Sequence, residues 1–205
     1  MNEELTQLGI TNVYDGVPVR ALKNITFGIY DDEGKLVKLA YFKGIQNINY
    51  TSQRSGGEVL AGDIVWKTFT GGVSSIEGSM TLALFSDAMK KDLFGYEEVN
   101  GVLAAGQSSI ANQVSISFDK ILADGTIESV GFPKVKLTEP QQSAQGDQAK
   151  NTDIQVVTYE VQFTAIADDR GYAIYTKENI DAGQLKDFID TVHSSIGTPG
   201  EEVGE

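Results

Sequence analysis

The sequence predicts a mainly β fold: an antiparallel sandwich or barrel with one short internal helix and a C-terminal amphipathic helix. Three observations predict it. Apolar and polar residues alternate with period two in most segments, and Gly- and Asp-rich turns separate them. Only two segments switch to helical period. The chain has 205 residues, 40% of them hydrophobic, which is enough to bury a core.

The elements follow in order. From Val19 to Tyr30, one parity carries Val19, Ala21, Lys23, Ile25, Phe27 and Ile29, an apolar face broken at Lys23. Asp31-Asp32-Glu33-Gly34 is a hairpin turn, and Leu36 to Phe42 resumes the strand. Gly44 to Thr51 alternates again, as does Val73 to Phe85, with Met80, Leu82 and Leu84 on one parity. Ser86 is a good N-cap, Asp87 lies in the first turn and Gly95 at the C′ position, which predicts a helix over Asp87 to Phe94. Val114, Ile116 and Phe118 alternate with Ser115, Ser117 and Asp119, and Asp124-Gly125 turns the chain toward Ile127. Ile154 to Ile166 is the longest alternation, and Asp168-Asp169-Arg170-Gly171 turns into Tyr172 to Thr176. Asp181 caps the last helix, whose Leu185, Phe188, Ile189 and Val192 fall at i, i+3, i+4 and i+7 as one apolar stripe.

Two segments read as long loops. Ser52 to Gly72 holds Gly56-Gly57, Gly62 and Gly71-Gly72 among Val59, Leu60, Ile64, Val65, Trp66 and Phe69. Such a loop is too apolar to stay solvated alone, so these six side chains are candidate subunit-interface residues. Trp66, the single Trp, is either a core plug or an interface anchor. Glu139 to Asn151 is polar and aperiodic. Leu185, Phe188, Ile189 and Val192 are candidates too, since their stripe must pack on the chain's own sheet or on a neighbour's. The expected organisation is a β domain over 1–176, then a helix and an acidic flexible tail over 177–205.

Composition excludes much chemistry. With no Cys there is no disulfide, thiol nucleophile or Cys-ligated metal. With one His there is no HExxH motif or multi-His metal site. His193 reads as an exposed residue at the helix end, off the apolar stripe, rather than as a catalytic base. No phosphate loop or GxSxG elbow occurs. The acid clusters Asp31-Asp32-Glu33, Glu97-Glu98 and Asp168-Asp169 fail the EF-hand pattern and read as solvated turns. The net charge of −13 opposes any grip on nucleic acid, yet suits a surface that nucleic acid must pass. No cofactor and no catalysis are expected. The N-terminus lacks a signal peptide and no stretch reaches about 18 apolar residues, so synthesis in the cytoplasm and no membrane contact are expected.

Four stretches carry a family resemblance: Ala40-Tyr41-Phe42-Lys43-Gly44-Ile45-Gln46-Asn47-Ile48; Ala61-Gly62-Asp63 with Trp66 and Phe69; Gly78-Ser79-Met80-Thr81-Leu82-Ala83-Leu84-Phe85 running into Ser86 to Gly95 and Asn100-Gly101-Val102-Leu103; and Tyr159-Glu160-Val161-Gln162-Phe163-Thr164-Ala165. Together they resemble the major tail tube proteins of long, non-contractile-tailed phages of Gram-positive bacteria. The likeness spans roughly Ile10 to Tyr175, and Lys177 to Glu205 extends beyond the family's core. The resemblance implies a structural virion protein whose hexameric rings stack around a tape-measure protein. Tail terminator and tip proteins close the tube, and DNA passes its lumen without specific binding. It also implies a loop that bridges rings, for which Ser52 to Gly72 is the candidate by position. Two rivals remain open on the residues alone. One is a β-sandwich module that binds carbohydrate or a receptor, and the other is a hydrolase whose carboxylate pair meets only in space.

Overall fold

The computed structural model describes residues 17–61, 64–107, 109–141 and 158–194, and gives only the backbone course of 57–61 and 64–70. The strands are β1 (Val19–Tyr30), β2 (Leu36–Tyr41), β3 (Ile45–Ala61), β4 (Ile64–Leu82), β5 (Glu97–Val99), β6 (Val102–Ala104), β7 (Val114–Leu122), β8 (Ile127–Thr138), β9 (Tyr159–Ile166) and β10 (Tyr175–Glu178). Two helices join them, α1 (Asp87–Phe94) and α2 (Ala182–Val192). The fold is mainly antiparallel β, as the sequence predicts. One large sheet runs in the order β2-β1-β7-β8-β9-β4-β3, and β5–β6 is a separate hairpin.

One edge of β8 serves two partners. Glu128 to Gly131 pairs with β10, and Lys134 to Thr138 pairs with β9. Pro133, which has no N–H to donate, stands between the two stretches. Beside it the β7–β8 register slips between Val114 and Ile116.

The sheet curls around one core. Tyr50 on β3 lies edge-on to Phe118 of β7 and Phe132 of β8, with ring centroids 6.3 and 5.2 Å away, so an edge strand reaches the middle of its own sheet. Phe27, Ile76, Val114, Val130, Phe132 and Ala165 are fully buried inside. Each large apolar side chain there contributes roughly 1.5–3 kcal/mol by leaving water. Helix α1 closes one end with Met89, Leu93 and Phe94. Its ends are those the sequence predicts: the Ser86 hydroxyl accepts from the Met89 N–H, and Gly95 takes the left-handed conformation at φ 68°.

Three expectations need correction. Ser52 to Gly72 is not a loop. Strands β3 and β4, of 17 and 19 residues, run through it as one long ribbon. Gly56, Gly71 and Gly72 sit at one irregularity of the ladder. The register slips between Arg54 and Gly56, and a Cβ at Gly71 would lie 2.9 Å from the Ser55 carbonyl oxygen. Glycine here admits a bulge and a close backbone approach, where the sequence suggests a break. Second, the apolar parity of β1 is not continuous. Lys23 to Thr26 spans three residues against two on β7, with Asn24 at φ 51°, so Leu22 rather than Ala21 shares the inner face with Ile25. Third, Asn100-Gly101, with φ of 55° and 79°, turns the β5–β6 hairpin, two strands the sequence reading omits. Most of Glu139 to Asn151, the first part of the alternation from Ile154, and the tail from Thr198 lie outside the described residues.

Candidate assembly surface

The outer face of the sheet, opposite the core, is divided. Helix α2 covers the half built by β1, β7 and the first part of β8. Among the described residues nothing covers the half built by β9, β4 and β3, the bare half.

On the covered half the contact is close because the strands present small residues. A Cβ on Gly131 would lie 2.3 Å from a Val192 methyl, and one on Gly28 would lie 2.8 Å from His193 Nδ1. The Asp181 carboxylate accepts from the Gln184 N–H, and Gln184 reaches back to the Asp181 N–H, a capping box that fixes the helix start. Phe188 and Val192 are buried with Ile180, and Leu185, Ile127 and Tyr175 pack beside them. Ile189 is half-buried. The stripe thus lies against the chain's own sheet. At the far end, Arg170 donates to the Thr191 carbonyl and pairs with Asp168, whose carboxylate also accepts from the Tyr175 hydroxyl at 2.7 Å. Burial pushes Tyr175 up to about 12, aided by the Asp168 charge. Burial acts to raise Asp168 as well, but its bonds from Tyr175, Tyr172 and Arg170 outweigh that and hold it below the usual carboxylate range.

His193 corrects the sequence reading most plainly: it is buried, not exposed. Its Nδ1 lies 2.6 Å from Ser115 Oγ and its Nε2 lies 2.8 Å from Ser117 Oγ. Ser115 continues the chain to the Tyr30 hydroxyl at 2.7 Å. Desolvation lowers the His193 pKa to about 4, so the ring is neutral near pH 7. Ser115 and Ser117, which read as a solvent face, are the buried partners of this ring. Ile189 to His193 is an i+4 step, so the helix period puts the ring on the side of the stripe, while the niche that buries it belongs to the strands.

The bare half is polar. Along β9 it shows Glu160, Gln162 and Thr164; these pair with Thr81, Ser79 and Glu77 of β4, and those with Asn47, Asn49 and Thr51 of β3. Two carboxylates punctuate these rows and no Lys or Arg does. Amide side chains hold both: Gln162 donates to Glu160, and Gln53 to Glu77. The nearest cations on this face, Lys134 and Lys136, belong to β8.

Both sheet edges are free of strand partners among the described residues: β3 pairs only with β4, and β2 only with β1. Strand β2 exposes Val37, Leu39 and Tyr41 on one side. Beyond Ser75 the β3–β4 ribbon leaves β9 behind and continues as two strands. Val59, Leu60, Ile64, Val65, Trp66 and Phe69 all lie on this part, outside the residues whose side chains are described. The structure brings these candidates together on one ribbon and places Leu185, Phe188, Ile189 and Val192 elsewhere, on α2. Among the described residues no group of His, Asp and Glu could hold a metal ion, and no helix is long and apolar enough to cross a membrane.

No family model matches the chain, and no curated protein matches it. Among solved structures it is similar to the tube-terminating cap of the anti-feeding prophage, at 12% identity and TM-score 0.40, over 81% of this chain and 95% of that one. It is also similar to a chain of the extended PVC sheath–tube complex of an extracellular contractile injection system, at 11% identity and TM-score 0.36, over 84% and 96%. The PVC sheath/tube terminator gives 13% identity and TM-score 0.35, over 81% and 99%. Likeness at this level assigns neither a fold nor a function to this chain.

Proposed function

We propose that the chain is a structural subunit of a phage tail tube. It assembles through its sheet edges into six-membered rings that stack around a tape-measure protein, and it catalyses nothing. The observation that carries this reading is the bare half-sheet: a polar surface whose paired rows on β9, β4 and β3 hold two carboxylates and no Lys or Arg, ending in an edge strand with no strand partner among the described residues. A monomer with such an edge risks uncontrolled pairing, whereas in a ring the edge becomes a joint. A lumen faced by Glu77 and Glu160 would repel phosphates and let DNA slide, where clustered Lys or Arg would trap it. The β3–β4 ribbon, too long and narrow to be stable alone, is the bridge to the next ring. Residues 1–176 form the tube wall in this reading, and 177–205 lie outside it. Terminator and tip proteins are the expected end partners, and the finished protein resides in the virion tail.

Negative-stain electron microscopy of the purified chain, at rising concentration and moderate salt, tests the reading. Salt is needed because a charge of −13 per subunit opposes association until it is screened. The expected result is rings with a central hole, or hollow tubes of constant width. Leu39→Asp and Trp66→Asp should abolish them while leaving the circular dichroism of the monomer unchanged. Monomers under every condition, even with preformed tail tips as nuclei, would overturn the reading. Saturable binding on a glycan array would then favour the carbohydrate-binding module.

A further inference from the structure

We propose that α2 is a pH-released clasp, held on the sheet by neutral His193 and freed by its protonation while the β-core stays folded. Two geometric facts carry this. The helix has its own small cluster, Ile180, Phe188 and Val192, on the opposite side of the sheet from the main core, so it can leave without opening that core. And its end is seated by a buried ring with both nitrogens bonded to one strand, in a niche of serine and glycine.

The groups facing that ring decide what protonation does. Strand β7 offers Ser115 and Ser117 and, further along the same face, Asp119, whose carboxylate is already taken by Ser129 of β8 and Asn24 of β1. Strand β1 offers Tyr30, bonded to Ser115 and to the Ser194 carbonyl. Strand β8 adds Gly131, and β2 adds the Leu36 side chain beside Gly28. The turn before β10 brings Arg170, a cation, to the Thr191 carbonyl and the Ser194 hydroxyl. The hydroxyls can all turn to accept from an imidazolium, so hydrogen bonding permits the charge. Among the described residues no free carboxylate meets it, and the charge Arg170 brings nearby is a cation. The negative end of the helix dipole favours the imidazolium, but desolvation prevails and lowers the pKa.

The sign follows from proton counts. The docked ring titrates at about 4 and a released ring at about 6.5, so between these values the released state binds more protons. Acidification therefore releases the helix. The opening equilibrium is flat well above pH 6.5, has risen about 160-fold by pH 4, and approaches its limit of about 300-fold only below that.

Hydrogen exchange by mass spectrometry on the full chain tests this, with rates corrected for the chemical pH dependence. Between pH 7 and 4, protection of 182–193 should fall by about 120-fold while β7 and β8 keep theirs. In His193→Gln, which stays neutral, helix protection should not change with pH. If helix and strand amides lose protection together in the wild type, or if His193→Gln keeps the full pH dependence, the clasp is refuted. Should that variant not fold, the wild type still decides. Its single His gives one Cε1–H resonance to follow, and a midpoint near 6.5 with helix protection intact would equally refute the proposal.

Discussion

Gly131→Ala should detach or displace α2. The added methyl would lie 2.3 Å from Val192 Cγ2, 2.7 Å from Cγ1 and 3.1 Å from Cβ. Val192 is fully buried and β-branched, and a valine in a helix holds one rotamer, so it cannot swing aside. Gly131 does not have positive φ, so alanine suits its backbone and the cost comes from the helix contact alone. Overpacking of this kind costs about 1–3 kcal/mol. Val192→Ala removes two methyl groups and leaves a small cavity, a loss of about 2 kcal/mol. In the double variant the methyl added at Gly131 occupies the space that Val192 vacates. Its cost should fall short of the sum of the single costs by about 1–2 kcal/mol. Urea unfolding followed by circular dichroism measures all three variants, with an unchanged m-value as the check that one transition is being compared. Additive costs, agreeing within about 0.5 kcal/mol, would show that the two residues do not touch. Helix α2 would then not sit on β8 in solution.

The remaining predictions concern the caps and the tyrosine beside Asp168. Ser86→Ala and Asp181→Ala each remove a side-chain acceptor from a helix N-terminus, and each should cost about 1 kcal/mol in the same urea experiment. A loss below about 0.3 kcal/mol at either site would mean that the cap is not formed there. Absorbance titration at 295 nm should show one phenol ionising near pH 12, absent in Tyr175→Phe. Because Tyr175 keeps its proton in the folded state beyond the unfolded value of about 10, stability should decline as pH rises from 10 to 12, less so in the variant.

What was legible in the sequence was local. The bounds of α1 follow from Ser86, Asp87 and Gly95, because capping uses nearest-neighbour chemistry. The stripe of α2 follows for the same reason. The ribbon was hidden because Gly56-Gly57 and Gly71-Gly72 carry the signature of a break, and only the partner strand reveals that they accommodate bulges. His193 was misplaced for a different reason. Ser115, Ser117 and Gly131 are what a solvent face or a turn would show, and nothing local announces that a helix from far along the chain lies over them. The niche is legible only when both surfaces are seen together. The bare half-sheet lies between these cases. Its polar parity is plain in Glu160, Gln162 and Thr164, but its continuity across three strands depends on a register that no single strand specifies.

The division of one sheet face into a covered and a bare half bears on how the molecule is used. A helix whose apolar stripe needs cover would gain as much on any apolar sheet face, so its position is set by where small residues admit it. Gly28, Ser115, Ser117 and Gly131 do so on β1, β7 and β8. On β9 and β4 the equivalent outward positions carry Gln162, Thr164, Glu77 and Ser79, whose polar groups would lose water under a helix and find no partner there. The bare half is thus protected from the chain's own helix by its side chains. A face kept polar and open right up to the edge of the sheet is what the proposed lumen would need to meet water and a passing polyanion. The apolar row of β2 at the opposite edge, Val37, Leu39 and Tyr41, is fitted to meet protein. In the proposed tube, the β2 edge of one copy would meet the β3 edge of the next. Such head-to-tail contact closes into a ring when the rotation between copies divides the full circle, and otherwise winds into a filament.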